Sequence, residues 1–326
     1  MKVLYLIQTY KNPQQIYRLV QAIKKSSPES YVLVSHNFAY SNLDVATIEN
    51  LPEVKVINGK GGRGDFSLMQ GYLDALDWLF CHNIEFDWLT NITGQDYPTQ
   101  PLACSEKFLA ETEYDGFLEY FESFSDSEHN PWGNRLGRDR YLYEYWRSGV
   151  SIPLFEAGHS VRGRILNRLG KDFNNAQPFI RVSWAFDDGL VMGIRAISTP
   201  FNEKFLCYGG SYFHTLSRKC IQFLNDFSKR HTNIVNFYKK TSTPDESFIQ
   251  TVLVNSKLFN LCNENKRYID FSSCLNGRPR ILTVDDYPAL IKDNIYFARK
   301  FDMTHDSKIL DMLDTRILEG SQYQTV

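Results

Sequence analysis

Met1-Lys2-Val3-Leu4-Tyr5-Leu6-Ile7-Gln8 opens the chain, and Tyr31-Val32-Leu33-Val34 completes the pattern that it begins. The opening run breaks at Gln8, far below the roughly 20 apolar residues of a membrane span, and reads as a buried strand. After it Asn12-Pro13 marks a turn, and Ile16, Leu19, Val20 and Ile23 recur at the i, i+3, i+4, i+7 spacing of one helix face. With Tyr31 to Val34 as a second strand, the βαβ order predicts a doubly wound α/β sheet, whose ligands gather at the carboxyl ends of its strands.

The same alternation continues outward. Val54 to Ile57 is a third short strand. Gly59-Lys60-Gly61-Gly62-Arg63-Gly64-Asp65 then leads into a helix carrying Leu68, Tyr72, Leu73, Leu76 and Leu79. A glycine-rich loop there is either a phosphate cradle or a plain flexible connection, and it has neither the Walker nor the GxGxxG order. Phe86 to Ile92 forms a fourth strand and runs into Thr93-Gly94-Gln95-Asp96-Tyr97-Pro98. Polar residues between a strand end and a proline turn are either ligand contacts or, through Asp96, an Asx-turn. A helix over 101–111 and a strand over 116–120 complete a Rossmann-like first half, residues 1–122.

From 123 to 177 the periodicity weakens. Trp132, Trp146 and the arginines Arg135, Arg138, Arg140, Arg162, Arg164 and Arg168 stand among Ser, Asp, Gly and Asn. Such a segment is a solvated, partly helical insertion or a lid for an anionic partner, and contact with a membrane surface stays open. The second half, 178–326, resumes with apolar segments and reaches Gly209-Gly210-Ser211-Tyr212-Phe213, whose glycine pair lets backbone approach a neighbouring strand or a sugar ring. Thr243-Pro244-Asp245-Glu246-Ser247-Phe248 reads as a helix start. Ser242 or Thr243 caps it, Pro244 fits the first helical position, and Asp245 and Glu246 set negative charge at the positive end of the helix dipole. The acidic pair is ordinary helix-start chemistry or a carboxylate held at the mouth of a site.

Composition bounds the function further. The 326 residues are 43% hydrophobic and 14% aromatic, enough for a large core, and a net charge of -2 with a pI near 6.4 lacks the basic excess of a nucleic-acid binder. Cys81, Cys104, Cys207, Cys220, Cys262 and Cys274 form no CxxC pair or finger spacing, so reduced thiols are expected rather than a zinc site or a disulfide framework. Nothing marks secretion, and the expected location is the cytoplasm, with the inner face of a membrane left open. Near the end of the chain stand two basic pairs, Arg278/Arg280 and Arg299/Lys300. Arginine grips phosphate through a planar fork and lysine through a point charge, so together they can hold a pyrophosphate without a metal. Glu246 would then be free to deprotonate an attacking hydroxyl. No Asp-x-Asp triplet occurs; Asp187-Asp188, Asp285-Asp286 and Glu85/Asp87 come nearest, and the seven histidines form no close pair.

Thr90-Asn91-Ile92-Thr93-Gly94-Gln95-Asp96-Tyr97-Pro98 resembles the Ser-Gly-Gln-Asp-Tyr/Phe-Pro segment of the core-2/I-branching N-acetylglucosaminyltransferase and peptide O-xylosyltransferase family, glycosyltransferase family 14. Leu4 to Ile23 with Lys11-Asn12-Pro13, the Pro244-Asp245-Glu246-Ser247-Phe248 segment and Phe297-Ala298-Arg299-Lys300-Phe301-Asp302 agree in the same order, so the resemblance spans most of the chain. It implies a GT-A-type fold in one continuous domain, a nucleotide-sugar half followed by an acceptor half, that inverts the anomeric centre of a UDP-sugar by direct displacement and needs no metal or other cofactor. The resemblance makes Glu246 the general base and Arg299 and Lys300 the cations on the diphosphate, with Arg280 ahead of Arg278 in the same role. Gln95 and Asp96 become donor contacts, and Gly210 and Ser211 belong to an acceptor-side loop. That loop continues here as Tyr212-Phe213-His214, where the family often has an acidic residue and then Trp-Phe. At the end of the second strand the family's His-Val-Asp is replaced by Ser35-His36-Asn37, which leaves His36 or Asn37 to meet the nucleotide base. The expected partners are a UDP-sugar carrying N-acetylglucosamine or xylose and a glycan acceptor. The membrane anchor and lumenal disulfides of animal members are not seen, as in a soluble microbial relative. Two other readings stand beside this one: a metal-dependent nucleotide-sugar transferase using Asp187 and Asp188, and a non-catalytic carbohydrate-binding protein on the same fold.

Overall fold

The computed structural model describes residues 1–61, 64–147, 161–185, 189–272 and 278–322. Its centre is a seven-stranded sheet. In chain order the strands are β1 (Val3–Thr9), β2 (Tyr31–His36), β3 (Val54–Asn58), β4 (Trp88–Thr93), β5 (Gly116–Leu118), β6 (His214–Ser217) and β7 (Leu261–Cys262), and in space they run β7-β5-β6-β4-β1-β2-β3. The first four are parallel, with Leu6 opposite Leu33 on one side and Asn91 on the other. β6 lies antiparallel between β4 and β5, and β7 is parallel to β5. The 3-2-1-4 block is the half-sheet that the opening pattern predicts.

Alternation within β1 explains why its apolar run is unbroken. Leu4 and Leu6 enter a core with Tyr72, Leu76, Phe248 and Leu253, whereas Val3, Tyr5 and Ile7 enter a second core with Ile16, Leu19, Ile309 and Leu313. Both faces are covered, so every position from Val3 to Ile7 is apolar. The helix Pro13–Ser26 buries Ile16, Leu19, Val20 and Ile23, the face read from the spacing.

Four local readings are revised. The Asp96–Pro98 segment is a strand: it pairs antiparallel with Phe297–Arg299, Asp96 opposite Arg299, and that strand pairs in parallel with Arg267–Ile269. Three segments far apart in the chain therefore meet where β4 ends. The strand read over 116–120 stops at Leu118, and Phe121–Glu122 pairs instead with Tyr208–Gly209. Pro244–Glu246 is one 3-10 turn, and the α-helix Phe248–Ser256 begins after it; Thr243 has φ 52° and makes no side-chain cap. Outside bonds hold that turn, Thr243 N–H to the Gly64 carbonyl at 2.9 Å and Gly210 N–H to the Glu246 carbonyl at 2.9 Å.

The segment 123–177 is more than a solvated insertion. Its strand Tyr143–Arg147 pairs with Gly189–Arg195, which pairs with Ile180–Ala185, forming a separate three-stranded antiparallel sheet. The helix Gly133–Tyr141 lies tight against the body, because a Cβ on Gly137 would fall 2.1 Å from the Ser123 carbonyl oxygen, and Tyr141 is buried in the first core. Among the described residues no helix is long and apolar enough to cross a membrane.

Candidate active site

The strand Phe297–Arg299 carries its arginine to the carboxyl end of β4. Asp96, 1% exposed, receives it there: its Oδ1 faces Arg299 Nε at 3.2 Å, and its Oδ2 accepts the Thr93 N–H and, at 2.9 Å, the Thr93 hydroxyl. Asp96 thus bonds back to the strand end and across to a cation, and it forms no forward Asx-turn. The Arg299 guanidinium carbon stands 4.1 Å from the centre of the Phe213 ring. Its Nη1 and Nη2 donate no hydrogen bond among the described residues, and the side chain is 18% exposed. Lys300 follows, its carbonyl accepting the Leu282 N–H at 2.9 Å. Gln95 fastens this segment, its carbonyl accepting the Phe301 N–H at 2.8 Å and its side chain donating to the Phe301 carbonyl at 3.4 Å.

Two expected donor contacts are engaged inside the protein. Arg280 donates from Nε to Asp270 at 2.6 Å, from Nη1 to Asp286 at 2.8 Å, and from Nη2 to the other oxygen of Asp286. The pairing holds the Asp270 carboxyl down to about 2, through hydrogen bonds from Ser272 and then from Arg280. His36 is fully buried, with Nε2 2.8 Å from the Ser41 carbonyl and Nδ1 2.7 Å from the Thr9 hydroxyl. A carbonyl only accepts, so Nε2 carries a proton, and with Nδ1 held by the Thr9 hydroxyl neither nitrogen is left for a nucleotide base. Asn37 donates to the Gly61 carbonyl at 3.2 Å. Arg278 lies two residues before Arg280 and is half-buried.

On the other side stands Glu246. Its Oε2 accepts from Arg140 Nη1 at 2.6 Å, while Oε1 makes no hydrogen bond among the described residues and the side chain is 35% exposed. Arg140 comes from the end of the helix Gly133–Tyr141 and lies 4.3 Å from the Trp132 ring centre. Burial opposes its charge, but Glu246, Tyr141 and Asp245 together more than offset that and its pKa rises. An arginine in a weakly periodic stretch, read there as a solvated insertion or a lid, carries no local sign of the carboxylate that it meets 106 residues later.

Gly210-Ser211-Tyr212-Phe213 joins the two sides. A Cβ on Gly210 would sit 1.8 Å from the Glu119 carbonyl oxygen, a collision with backbone that only glycine avoids. The Ser211 carbonyl accepts from Gln250 at 2.6 Å, and its hydroxyl accepts the Phe213 N–H at 3.3 Å. Tyr212 and Phe213 are buried: the Tyr212 hydroxyl donates to Gln8, and Phe213 lies beneath Arg299. The carboxyl of Glu119, partly withdrawn from solvent and near Glu246, is raised by both effects. Asp187 and Asp188 lie outside the described residues. Among the described residues no three His, Cys, Asp or Glu side chains converge as a metal site would require.

No protein-family model matches the chain. It is 25% identical over 315 residues to xylosyltransferase 2 of Homo sapiens, covering 92% of this chain and 32% of that protein. Over 157 residues, 45% of this chain and 35% of the other, it is 26% identical to the beta-glucuronosyltransferase GlcAT14B of Arabidopsis thaliana. The chain thus spans about a third of the length of these curated relatives. Among solved structures, a 4-diphosphocytidyl-2C-methyl-D-erythritolsynthase from Anaerococcus prevotii DSM 20548 overlaps 71% of this chain and 76% of its own at 7% identity and a TM-score of 0.29, from which nothing further follows. The similarity that extends along nearly the whole of this chain is to a glycosyltransferase.

Proposed function

We propose that this chain is an inverting glycosyltransferase of GT-A type that moves a sugar from a UDP-sugar onto a hydroxyl of a glycan acceptor without a metal. The observation that carries the reading is the span Gly210 to Phe213. Its first residue bonds the backbone of Glu246 and its last lies beneath Arg299, and three residues of chain reach at most about 10 Å. One short loop thus ties the backbone of the Glu246 turn to the ring under Arg299, and in this reading the open carboxylate oxygen of Glu246 serves the acceptor while the free guanidinium nitrogens of Arg299 serve the donor. Glu246 takes the proton of the acceptor hydroxyl as it attacks the anomeric carbon, and Arg299 with Lys300 stabilises the departing diphosphate from the opposite face. Arg140 holds one oxygen of the base and so orients the other. The sugar is N-acetylglucosamine or xylose; the similarity to xylosyltransferase 2 supports xylose, and that to GlcAT14B brings glucuronic acid into the comparison.

Glu246→Gln tests the base. UDP affinity should persist while transfer drops about a hundred-fold or more. Transfer at the wild-type rate would remove Glu246 from that role. A thermal-shift panel of UDP-GlcNAc, UDP-Xyl, UDP-GlcA and UDP-Gal identifies the donor, since a ligand selective for the folded state stabilises it by mass action. Full transfer in excess EDTA is expected; loss that Mn²⁺ restores would favour Asp187 and Asp188 instead.

A further inference from the structure

Arg267 is a buried cation that no role above employs. It opens the strand Arg267–Ile269 opposite Phe297, and its Nη2 donates to the carbonyls of Asn91 in β4 at 2.7 Å and His214 in β6 at 3.2 Å. Its guanidinium carbon lies 5.2 Å from the centre of the Phe213 ring, the ring that also supports Arg299, and 5.4 Å from that of Phe297. Those two bonds explain one nitrogen. Nε and Nη1 are buried and have no partner among the described residues. Asp96, already facing Arg299 at 3.2 Å, is the carboxylate whose charge acts on Arg267. Two guanidinium groups thus lie in the field of one carboxylate, which contacts only Arg299 of the two. Burial and the Arg299 charge push Arg267 down to about 10 despite Asp96. The cavity of about 20 Å³ that Arg267 helps to line has room for about one water, which can accept an N–H but adds no negative charge. Two buried or half-buried cations against one carboxylate leave an excess of positive charge, which is costly until an anion arrives.

We propose that Arg267 is a third, buried cation of the donor-diphosphate site, a positioning residue that packs on the same Phe213 ring as Arg299 and adds its charge from beneath. The inference rests on the reading of Arg299 as a diphosphate ligand. Arg267 does not touch the ligand. With Asp96 the carboxylate whose charge acts on both, the two guanidinium groups and Asp96 together carry one net positive charge toward the site.

Calorimetric titration with UDP, UMP, uridine and inorganic pyrophosphate, at two ionic strengths, tests this on the wild type, Arg267→Met and Arg267→Lys. Arg267→Met should weaken UDP and pyrophosphate about tenfold, the size expected of one unit charge acting across roughly a nanometre of protein. It should weaken UMP less, leave uridine unchanged, and flatten the salt dependence. Arg267→Lys keeps the charge and should hold UDP within about threefold. If Arg267→Met does not fold, Arg267→Gln offers a donor to the two carbonyls without the charge and is read in the same way. Unchanged UDP and pyrophosphate affinity in the neutral variant, or a uridine loss equal to the UDP loss, would reduce Arg267 to a strap between β4 and β6. Wild-type binding of pyrophosphate without UDP would sink the nucleotide-sugar reading, with the Arg267 inference then decided on pyrophosphate alone; binding of neither would overturn both.

Discussion

Acidification from pH 6.5 to 5 should cost the folded chain about 2 kcal/mol through one side chain, His214. This residue begins β6 and is fully buried, with Nδ1 2.9 Å from the Tyr212 carbonyl and Nε2 2.8 Å from the Tyr72 hydroxyl. The carbonyl fixes the proton on Nδ1, so Nε2 accepts from Tyr72 and the ring is neutral. Burial, with a smaller push from Arg267, drives its pKa from 6.5 down to about 3 against the opposing Tyr212 bond. The unfolded chain takes up a proton near pH 6.5 and the folded one does not until about 3. Stability is therefore complete above 6.5 and declines as pH falls through that window, by about 1.4 kcal/mol per unit. Urea denaturation of the wild type and of His214→Gln at pH 7, 6 and 5 isolates the effect, because other titrations cancel in the difference. At pH 7 the variant should be about 1–3 kcal/mol less stable, from disturbed buried hydrogen bonds. By pH 5 that gap should have narrowed by about 2 kcal/mol. A gap that stays constant from pH 7 to 5 would refute the argument, since it would mean that His214 protonates equally in both states.

Other outcomes follow from the same geometry. Gly210→Ala forces a Cβ against the Glu119 carbonyl at 1.8 Å, so thermal unfolding should reveal a loss of about 1–3 kcal/mol and transfer should fall with the displaced Glu246 turn; unchanged stability would mean that the loop relaxes freely. Arg140→Met releases the Glu246 carboxylate from its 2.6 Å partner, and steady-state kinetics should show turnover reduced at least tenfold with UDP affinity retained. Asp270, held down to about 2 by Ser272 and Arg280, stabilises the fold above pH about 4, and that contribution disappears as pH falls toward 2. In acid titration followed by circular dichroism, Arg280→Met should show a smaller loss over that range than the wild type.

What the chain discloses without its fold is whatever local spacing records. Val3 to Ile7 is apolar at every position because both faces of β1 are covered, and Ile16, Leu19, Val20 and Ile23 reveal a helix face because a helix repeats every 3.6 residues; from these the parallel half-sheet was legible. Glu246 and Arg299 are proposed from the ordered motifs around them. Spacing does not record which residues meet across the chain. Arg280 and Arg299 look alike as basic residues near the end, yet one is neutralised by Asp270 and Asp286 and the other turns two nitrogens outward. Nothing local to Arg140 foretells that the helix Gly133–Tyr141 sets it against Glu246, and nothing local to Arg267 foretells the strand pairing with Phe297–Arg299 that buries it. The charge that an arginine presents depends on the carboxylates near it in space, and strand pairing between residues about 200 positions apart decides that, as with Asp96 and Arg299.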